Sequence, residues 1–540
     1  MNKALQPHAA ARIDCDVVVI GAGFAGLYAA HKLTGLGFSV VGFERGEDVG
    51  GVWYWNRYPG ARCDCESYYY SYSFSDDLQK DWSWSLRYSE QPEILRYLSH
   101  VADRFDLRRH FRFGTSVEGA AFDAATALWT VRDSRGGVVT ARFVVSAAGC
   151  LSAIQRPDIP GLDAFEGEIY YTAAWPHAGV DFTGKRVGVI GTGASGVQVI
   201  SRIAAKAKHL AVFQRTANWV IPVWNAPTSA EFDAWSKAHH EEIRARCLNS
   251  HGAVPFDPPK VSVFEVSPEE RQVIFEQYWT RGGTQFFGAF TDLFSNIEAN
   301  EAAADVVRAY IRKVVKDPKT AEMLIPTDHP LGTKRPPMDD DYYATFNREN
   351  VDLVDIRGAP INGIEGRTLR TAVGAYELDA LVLATGFDAI TGALMAIDIR
   401  GRDDLSLREA WAKGARSYLG LGMADFPNLF TITGPLSPSV LANMPTAVEQ
   451  HVDWIAGCLV YMRDHSLTRI EAAADAQDDW VVHVAQAAQG SLYHRANSWY
   501  LGSNIPGKPR QFGVYLGGFG TYKKRCDTVA RANYEGFVLA

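Results

Sequence analysis

The sequence predicts an α/β fold built from two Rossmann-like dinucleotide-binding domains, with a helical insertion in the second. The pattern Gly-x-Gly-x-x-Gly occurs twice, at residues 21–26 and 191–196, and each copy follows a short run rich in β-branched residues. A buried strand that runs into a glycine-rich turn and a helix is the arrangement that holds a dinucleotide pyrophosphate. In addition, residues 223–330 carry apolar and charged side chains at helical spacing, which predicts the insertion.

Composition and charge narrow the class of protein. The chain has 540 residues, 47% hydrophobic and 21% charged, and this length predicts about three domains. The net charge of −8 gives no reason to expect nucleic acid or an anionic membrane as a partner. We find no apolar run long enough to span a membrane and no signal-peptide pattern in residues 1–16. The seven cysteines are scattered and odd in number, which favours reduced thiols in a cytoplasmic protein.

The first glycine pattern belongs to a complete strand–turn–helix–strand unit. The run Cys15–Ile20 predicts a buried strand, and Gly21, Gly23 and Gly26 form the turn that opens a helix. The next strand, at residues 39–43, ends at Glu44. A carboxylate at this place accepts hydrogen bonds from a ribose. The whole unit predicts a nucleotide site far more specifically than a lone glycine pattern does.

The second glycine pattern differs from the first in the residue that ends its second strand. Gly191, Gly193 and Gly196 form the turn, and the strand at residues 210–214 ends at Arg215. An arginine at this place meets a 2′-phosphate, whereas an acid would repel it. We therefore predict FAD in the first domain and NADPH in the second. Two such domains in one chain are typical of a flavin enzyme that uses a pyridine nucleotide, rather than of a dehydrogenase with a single cofactor.

Periodicity and turn residues divide the rest of the chain. Helices are predicted at residues 92–105, 229–247, 268–280, 300–316 and 446–465, and further strands at 129–131, 141–146, 187–190, before residue 384 and at 428–433. Residues 497–509 predict a loop that could form a mobile lid. We assign the FAD domain to 1–148 and 385–540, the NADP domain to 149–222 and 331–384, and the helical insertion to 223–330.

Three groups of residues have side chains that could take part in redox chemistry or bind a metal, but each has a simpler structural interpretation. We therefore expect no metal. Cys63 and Cys65 are spaced more closely than the redox pair of flavin disulfide reductases, which favours two packed thiols. The pair His239-His240 has no cysteine or acid at a metal-like spacing and is predicted to lie on the surface. The acidic run at residues 339–341 predicts a solvated loop.

Two longer motifs carry a family resemblance. Phe165, Gly167, Trp175 and Pro176 match the fingerprint FxGxxxHxxxW followed by P or D, with Tyr171 in the place of its histidine. Residues 50–64 match the signature GGxWxxxxYPGxxxD at every fixed position. In both motifs the chain resembles type I Baeyer–Villiger monooxygenases. Residues 436–444 are similar to the active-site bulge of the phenylacetone enzymes, and the chain looks most like the phenylacetone, steroid and large-ring ketone group. The resemblance extends from Gly21 to the C-terminus.

The resemblance implies conversion of ketones to esters or lactones with NADPH and O₂, through a flavin C4a-peroxide. By position, Arg335 would be the catalytic arginine and Asp64 the acid that positions it. The resemblance implies that the NADPH adenosine phosphate is bound by Lys334, Arg215 and Thr216, and that FAD is lined by Glu44, Trp53, Tyr70, Val117 and Met444. It implies further cofactor contacts from Phe24, Val52, Trp55, Arg62, Thr192 and Ser195. It also places Trp499 in the mobile loop, and Ser439, Val440 and Leu441 in the substrate pocket.

Two alternatives remain open at this stage. A flavin monooxygenase that oxidises nitrogen or sulfur shares both glycine motifs, but its linker fingerprint lacks the Trp175-Pro176 ending. A nucleotide-binding paralogue with weak oxygenation is supported only by Tyr171, because tyrosine does not titrate near neutral pH as histidine does. We expect a ketone substrate, and a monomer or weak oligomer.

Overall fold

Two β-sheets, one behind each glycine-rich turn, frame the molecule in a computed structural model that describes residues 13–540. The prediction made for residues 1–16 lies mostly outside that range. The strands are β1 (Cys15–Ile20), β2 (Val40–Phe43), β3 (Phe111–Arg112), β4 (Val117–Asp123), β5 (Leu128–Asp133), β6 (Val138–Ser146), β7 (Glu168–Tyr171), β8 (Arg186–Ile190), β9 (His209–Gln214), β10 (Val351–Asp355), β11 (Ile361–Glu365), β12 (Thr368–Thr371), β13 (Gly374–Glu377), β14 (Ala380–Leu383), β15 (Asp398–Arg400), β16 (Leu429–Thr431), β17 (Ile470–Ala472) and β18 (Phe537–Leu539).

The helices cover the faces of these sheets and fill the insertion. They are α1 (Phe24–Gly35), α2 (Val52–Trp55), α3 (Asp76–Asp81), α4 (Gln91–Arg104), α5 (Ala194–Ala204), α6 (Ala230–Ala238), α7 (His240–Asn249), α8 (Pro268–Arg281), α9 (Ile297–Val314), α10 (Pro318–Leu324), α11 (Tyr342–Thr345), α12 (Gly392–Met395), α13 (Leu407–Ala410), α14 (Met444–Asp464), α15 (Ala474–Ala488) and α16 (Phe519–Arg531). Within residues 13–540, none of these helices combines the length and apolar character needed to cross a membrane.

The first sheet has the strand order β15-β4-β5-β6-β1-β2-β3, and β16 also pairs with β6. Strand β1 runs parallel to β2 on one side and to β6 on the other. Its sequence, CDVVVI, is almost entirely buried, since β-branched residues pack well in a parallel sheet covered on both faces. The C-terminal strands β15 and β16 join this sheet, and α14 packs against α1, so the chain returns to its first nucleotide unit.

The second sheet is parallel throughout, in the order β10-β9-β8-β14-β7. Strand β8 leads into Gly191 and β9 leads into Arg215, as predicted. The buried strand predicted before residue 384 is β14, and it lies between β7 and β8. In parallel sheets the ligand site lies beyond the carboxyl ends of the strands, which is where both glycine-rich turns are found.

Residues 223–330 contain helices α6 to α10 and, among the described residues, no strand. Two predicted helices correspond to α8 and α9. Helix α8 is preceded by a capping box between Ser267 and Glu270, and α9 is capped by Asn296, whose side chain accepts from the N–H of Glu298 at 3.0 Å.

The prediction of one continuous helix over residues 229–247 is wrong, because the helix breaks at His239. The backbone of His239 has φ −111° and ψ 18°. The imidazoles of His239 and His240 bond the carbonyl oxygens of Trp235 and Lys237, at 2.8 and 2.9 Å. These local side-chain bonds compete with the helical ladder, and the result is two helices, α6 and α7.

Candidate functional site

A cavity of about 1270 Å³ lies at the carboxyl ends of β1 and β8. It exceeds the roughly 300–1,000 Å³ of most small-molecule sites, as a site for two dinucleotides requires. The predicted site residues on its wall are Gly21, Gly23, Phe24, Glu44, Val52, Trp53, Trp55, Arg62, Asp64, Tyr70, Val117, Gly191, Thr192, Gly193, Ser195, Arg215, Thr216, Lys334, Arg335, Val440, Met444 and Trp499. The fold therefore gathers residues from distant segments of the chain around one space.

The two glycine-rich turns have backbone conformations that require glycine. Gly21 has φ +106° and Gly191 has φ +107°, and a Cβ on either would lie 2.6 or 2.4 Å from a carbonyl oxygen of the neighbouring strand connection. Gly26 and Gly196 do not line the cavity. A Cβ on these would lie 1.7 or 2.1 Å from the carbonyl oxygen of the first glycine, so their role is to let the helix pack on the turn.

Glu44 is held rigidly at the end of β2. It is 6% exposed, and its carboxylate accepts the N–H of Ala22 at 2.8 Å and that of Gly46 at 2.7 Å. These two backbone bonds fix the carboxylate at the cavity wall and leave lone pairs for a further donor. A ribose hydroxyl is a suitable donor for them.

The end of β9 carries several cations. Arg215 is exposed and makes no ion pair with any described residue, while Lys334 Nζ lies 3.8 Å from Asp328 Oδ2. Arg357 donates to the same carboxylate oxygen at 2.8 Å and to the carbonyl oxygen of Arg215 at 3.1 Å. Burial lowers the pKa of Lys334, Asp328 opposes that shift, and Arg357 and Arg215 lower the pKa further. The sequence analysis missed Asp328 and Arg357, because neither belongs to a motif.

Asp64 and Arg335 form a bidentate ion pair on the cavity wall. Arg335 Nε donates to Asp64 Oδ2 at 2.5 Å and Nη2 donates to Oδ1 at 2.9 Å, while Nη1 donates to the Val440 carbonyl oxygen at 2.5 Å. Burial alone would raise the pKa of Asp64, but the charge and hydrogen bonds of Arg335 lower it overall. Burial alone would lower the pKa of Arg335, but the charge and hydrogen bonds of Asp64 raise this pKa well above its usual value. Both groups stay ionised, so a permanent cation faces the cavity.

The three residues predicted for the substrate pocket contribute one side chain to the wall. Val440 lines the cavity, whereas Ser439 is fully buried behind it and Leu441 packs into the neighbouring hydrophobic cluster. Neither Ser439 nor Leu441 lies on the cavity wall in this structure, so their place in the substrate pocket stays a prediction. The short 3₁₀ turn Ser439–Leu441 points successive side chains in different directions.

Trp499 lies on the wall within the loop that was predicted as a lid. Its ring packs against Tyr500, with centroids 4.2 Å apart. Burial raises the pKa of Tyr500, and the charge of Arg335 opposes that shift, which places the phenol beside the guanidinium. The loop is anchored through Asn504, whose side chain donates to the Phe387 carbonyl oxygen at 2.8 Å. The proximity of Tyr500 to Arg335 had no signal in the sequence.

The linker fingerprint lies outside the cavity. Phe165 and Trp175 are buried in hydrophobic clusters, Gly167 packs against Phe165, and Pro176 is half-buried. Trp175 donates its backbone N–H to the Trp55 carbonyl oxygen at 3.2 Å, which ties the linker to α2. The hydroxyl of Tyr171 makes no hydrogen bond to any residue from 13 to 540. We conclude that these residues join the two nucleotide units.

Within residues 13–540, two groups of side chains that could bind a metal lie close together. The first is Cys63, Asp64 and Cys65, and the second is Asp76, His240 and Glu241. In the first, both thiols are free and buried, and both oxygens of Asp64 are bonded to Arg335. In the second, Asp76 Oδ1 lies 3.3 Å from His240 Nε2, a proximity that spacing along the chain could not reveal.

The prediction of a solvated acidic loop at residues 339–341 is wrong for its first member. Asp339 is 3% exposed, and burial raises its pKa to about 6. Its Oδ2 lies 3.7 Å from Arg62 Nη2. Asp340 accepts the backbone N–H groups of Val223 and Trp224, both at 2.8 Å, so it organises the start of the insertion. Asp341 is exposed, as predicted.

The unsatisfied polar atoms of the cavity fit the cofactors that the sequence predicts. Arg62 Nε, Asn218 Oδ1, Ser498 Oγ and Asn504 Oδ1 are buried, belong to cavity-lining residues, and have no hydrogen-bond partner among residues 13–540. A buried polar group without a partner costs free energy, so these atoms favour a polar ligand. The helix N-termini of α1 and α5 suit two pyrophosphates.

The chain is similar to known flavin-dependent monooxygenases. The family model described as "Flavin-binding monooxygenase-like" matches residues 14–227. A Baeyer–Villiger monooxygenase of Pseudooceanicola batsensis is 43% identical over 97% of this chain and 96% of its own length. The phenazine N-monooxygenase PhzNO1 of Lysobacter antibioticus is 42% identical over 97% of both chains.

Solved structures match over almost the whole chain. An oxidised steroid monooxygenase bound to NADP has 51% identity and a TM-score of 0.94, covering 97% of this chain and 99% of that one. A complex of OTEMO with FAD and NADP has 44% identity and a TM-score of 0.94, covering 98% and 100%. These similarities confirm the predicted α/β fold with FAD and NADP domains, and the chain belongs to the Baeyer–Villiger monooxygenase family of flavoproteins.

Proposed function

We propose that this protein is a Baeyer–Villiger monooxygenase that uses NADPH and O₂ to convert ketones, in particular bulky, aryl or cyclic ketones, to esters or lactones. The observation that carries the proposal is the Asp64–Arg335 pair, which holds a permanent cation in the cavity between the two glycine-rich turns. Bound there, FAD and NADPH would supply the redox chemistry that activates O₂, with one oxygen atom inserted into the ketone and the other released as water. The protein orients both dinucleotides, stabilises negative charge and excludes water.

The first nucleotide unit would hold FAD. The N-terminus of α1 and the turn at Gly21 would receive the pyrophosphate, and Glu44 would accept from a ribose hydroxyl. Trp53 and Tyr70 would pack beside the flavin, and their mutual hydrogen bond of 3.2 Å keeps both rings in place.

The second nucleotide unit would hold NADPH. The N-terminus of α5 would receive the pyrophosphate, and Arg215, Thr216 and Lys334 would bind the 2′-phosphate. The absence of an acid at the end of β9 supports this choice, since NADH-binding units carry one at that place to bond the free ribose hydroxyl.

Arg335 would stabilise the negative charge that develops on oxygen during attack at the ketone carbonyl. A guanidinium cannot be deprotonated in a protein, so it is a dependable counter-charge. Asp64 would orient it through the bidentate pair. Tyr493 and Tyr500 are buried, the charge of Arg335 acts on the pKa of both, and their rings would help to keep water away from the reacting atoms.

The direct test is a ketone panel with purified FAD-loaded protein, NADPH and product analysis by chromatography. Arg335→Ala is expected to keep FAD and to consume NADPH, but to form hydrogen peroxide in place of ester, with ester formation reduced roughly 10²–10³-fold, as for the loss of an oxyanion-hole donor. Arg335→Lys should rescue poorly, because an ammonium lacks the planar fork. Asp64→Ala should be milder, since Asp64 acts through Arg335. An Arg335→Ala enzyme that forms ester at nearly the wild-type rate would overturn the assignment.

A second candidate is oxidation of nitrogen or sulfur. It is favoured by one observation, the 42% identity to a phenazine N-monooxygenase. Amine, phenazine and sulfide substrates therefore belong in the same panel. Formation of N-oxide or sulfoxide at a higher kcat/KM than any ester would support this candidate over the first.

We also propose the domain boundaries, location and assembly predicted from the sequence. The FAD domain would comprise residues 1–148 and 385–540, the NADP domain 149–222 and 331–384, and the insertion 223–330; the membership of the strands in the two sheets supports this division. Seven free, buried cysteines support a cytoplasmic protein. Analytical ultracentrifugation would test the proposed monomer or weak oligomer.

A further inference from the structure

A buried histidine that the proposed reaction does not use lies behind the cavity wall. His451, on α14, is fully buried, with Nδ1 2.8 Å from the backbone nitrogen of Thr433 and Nε2 2.9 Å from the hydroxyl oxygen of Tyr522. The Tyr522 hydroxyl also lies 2.6 Å from the Leu419 carbonyl oxygen, to which it donates. Its single proton is therefore committed, and it accepts from Nε2–H of His451. Nδ1 then carries no proton and accepts the N–H of Thr433.

This imidazole is a permanent acceptor. Burial lowers the pKa of His451 to about 3, so the ring is neutral throughout the working pH range. A backbone N–H on one side and a hydroxyl committed to a carbonyl on the other allow only one tautomer. The histidine therefore fixes the position of the Thr433 backbone.

Thr433 begins a constrained loop that needs such fixing. Thr433 has φ +50° and Ser439 has φ +43°, a left-handed conformation that side chains other than glycine rarely adopt. Ser439 Oγ donates to the Thr433 carbonyl oxygen at 3.1 Å, and Ser437 Oγ donates to the Gly434 carbonyl oxygen at 2.7 Å. The loop from 433 to 440 is thus closed on itself by hydroxyl groups and attached to α14 through His451.

The same loop supplies one of the partners of Arg335. Asp64 binds Nε and Nη2, which fixes one edge of the guanidinium, while Nη1 donates to the Val440 carbonyl oxygen at 2.5 Å. Val440 directly follows Ser439, which is bonded to Thr433. A continuous set of contacts therefore connects His451 with the guanidinium.

We propose that His451 is a positioning residue for oxygen transfer: by holding the Thr433 backbone it keeps the Val440 carbonyl, and with it the Arg335 guanidinium, in the orientation that faces the reacting atoms. This inference rests on the proposed function of Arg335. It also explains why a fully buried, polar histidine lies where an apolar side chain would otherwise pack.

Two substitutions separate the two bonds of the imidazole. In His451→Asn the amide oxygen lies near the place of Nδ1 and can accept from Thr433, whereas in His451→Gln the amide lies near the place of Nε2 and keeps only the Tyr522 contact. Hydrogen exchange of the backbone amides in residues 431–441 can be measured by mass spectrometry. It should be roughly tenfold faster in the Gln variant than in the Asn variant, because the Gln variant loses one buried hydrogen bond. Ester formed per NADPH consumed should fall roughly threefold or more in the Gln variant and much less in the Asn variant.

Val452→Ala is the matched control for lost packing, because Val452 is the next residue on the same helix and is buried. If Val452→Ala lowers the melting temperature as much as His451→Gln and uncouples as strongly, the role of His451 is structural only and the proposal fails. Equal exchange and equal coupling in the Asn and Gln variants would overturn it as well.

Tyr522→Phe keeps the test decisive if the Gln variant does not fold. It removes the acceptor of Nε2–H with little change of shape, so exchange of 431–441 should rise to an intermediate rate; an unchanged rate would contradict the proposal. A wild-type enzyme that forms no ester from any ketone would refute the proposed function, whereas the exchange contrast between the Asn and Gln variants tests the loop separately.

Discussion

The two glycine-rich turns have nearly the same conformation, yet the strands beside them end in opposite charges. The φ angles of Gly21 and Gly191 differ by about one degree, and in both turns a Cβ would strike the carbonyl oxygen of an alanine, Ala147 or Ala384. Both helices that follow begin at a glycine N-cap in an extended conformation. Backbone geometry therefore prepares two equivalent pyrophosphate sites.

The side chains that end the second strand of each unit are different. Glu44 is buried and held by two backbone N–H groups, whereas Arg215 is exposed and unpaired within residues 13–540. Arg357 donates to the carbonyl oxygen of Arg215, and Asp328 pairs with both Arg357 and Lys334. The comparison suggests a division of roles in the proposed sites: the turn would receive a dinucleotide pyrophosphate, while the strand end, an acid or a cation, would distinguish a free ribose hydroxyl from a 2′-phosphate.

The largest expected effect comes from placing the same substitution in both turns. Gly21→Ala should prevent accumulation of FAD-loaded protein, because the Cβ is blocked at 2.6 Å by backbone that cannot move away and φ +106° is strained for alanine. Gly191→Ala should retain FAD but weaken NADP⁺ binding by roughly 100-fold or more. Flavin absorbance, the melting temperature and an NADP⁺ titration measure these effects.

This pair of variants tests whether the two units are independent. Gly35→Ala, in α1, is a control, since a Cβ there meets no atom within 4 Å and the position is not on the cavity wall. Loss of FAD from the Gly191→Ala protein would contradict the separate assignment of the two turns.

The turns were predictable because their information is local. A β-branched run, three glycines and a helix occupy one continuous stretch, and the second strand ends a short distance later, so spacing alone identifies Glu44 and Arg215. The family signature likewise pointed to Asp64, and the family resemblance pointed by position to Arg335. Their bidentate pair could be expected from the resemblance, but spacing alone could not reveal it, because 271 positions separate the two residues along the chain.

The rest of the site depends on tertiary packing. Arg357 reaches the end of β9 because β10 lies beside β9, and Thr433 reaches His451 because the loop after β16 folds onto α14. The broken helix at His239 arose from side chains that bond nearby carbonyl oxygens, an effect that hydrophobic periodicity does not report. Such contacts involve no motif, so no sequence signal could have identified them.

Arg215→Gln should give the next largest effect and sharpens the difference between the strand ends. A charge-assisted hydrogen bond to phosphate is worth about 1.5–3 kcal/mol, so kcat/KM for NADPH should fall about 10–150-fold. The value for NADH should change little, because NADH has no 2′-phosphate. Stopped-flow flavin reduction with both nucleotides measures the ratio. A wild-type enzyme with equal kcat/KM for NADPH and NADH would show that Arg215 does not discriminate between them.

Arg357→Gln should have a smaller effect of the same kind. Its side chain is 49% exposed, and an exposed charge contributes about 0.2–1 kcal/mol, so binding of 2′,5′-ADP should weaken by roughly 1.5–5-fold. Binding of 5′-AMP should stay the same. Isothermal titration compares the two ligands, and Arg370→Gln, on β12 and paired with Glu365, is a control at similar exposure. An equal loss of affinity for both ligands would assign Arg357 a structural role.

The smallest expected effect is at Tyr171, between the two units that the comparison contrasts. Tyr171 lies at the end of β7, opposite Leu383 of β14. Its half-buried ring packs against a hydrophobic cluster. Its hydroxyl has no hydrogen-bond partner among the described residues. Tyr171→Phe removes only that hydroxyl, so the free energy of unfolding should change by no more than about 0.5 kcal/mol. FAD content and the rate of flavin reduction by NADPH should remain near those of the wild type.

Tyr171→His restores the residue of the family fingerprint and should also be tolerated, because the site faces a packed cluster at its edge rather than the cavity. Melting temperature, flavin absorbance and stopped-flow reduction of both variants give the answer. Complete loss of flavin reduction in Tyr171→Phe with FAD still bound would mean that the hydroxyl acts in hydride transfer. The linker would then take part in the chemistry, and the two nucleotide units could not be treated as separate sites joined by a structural connection.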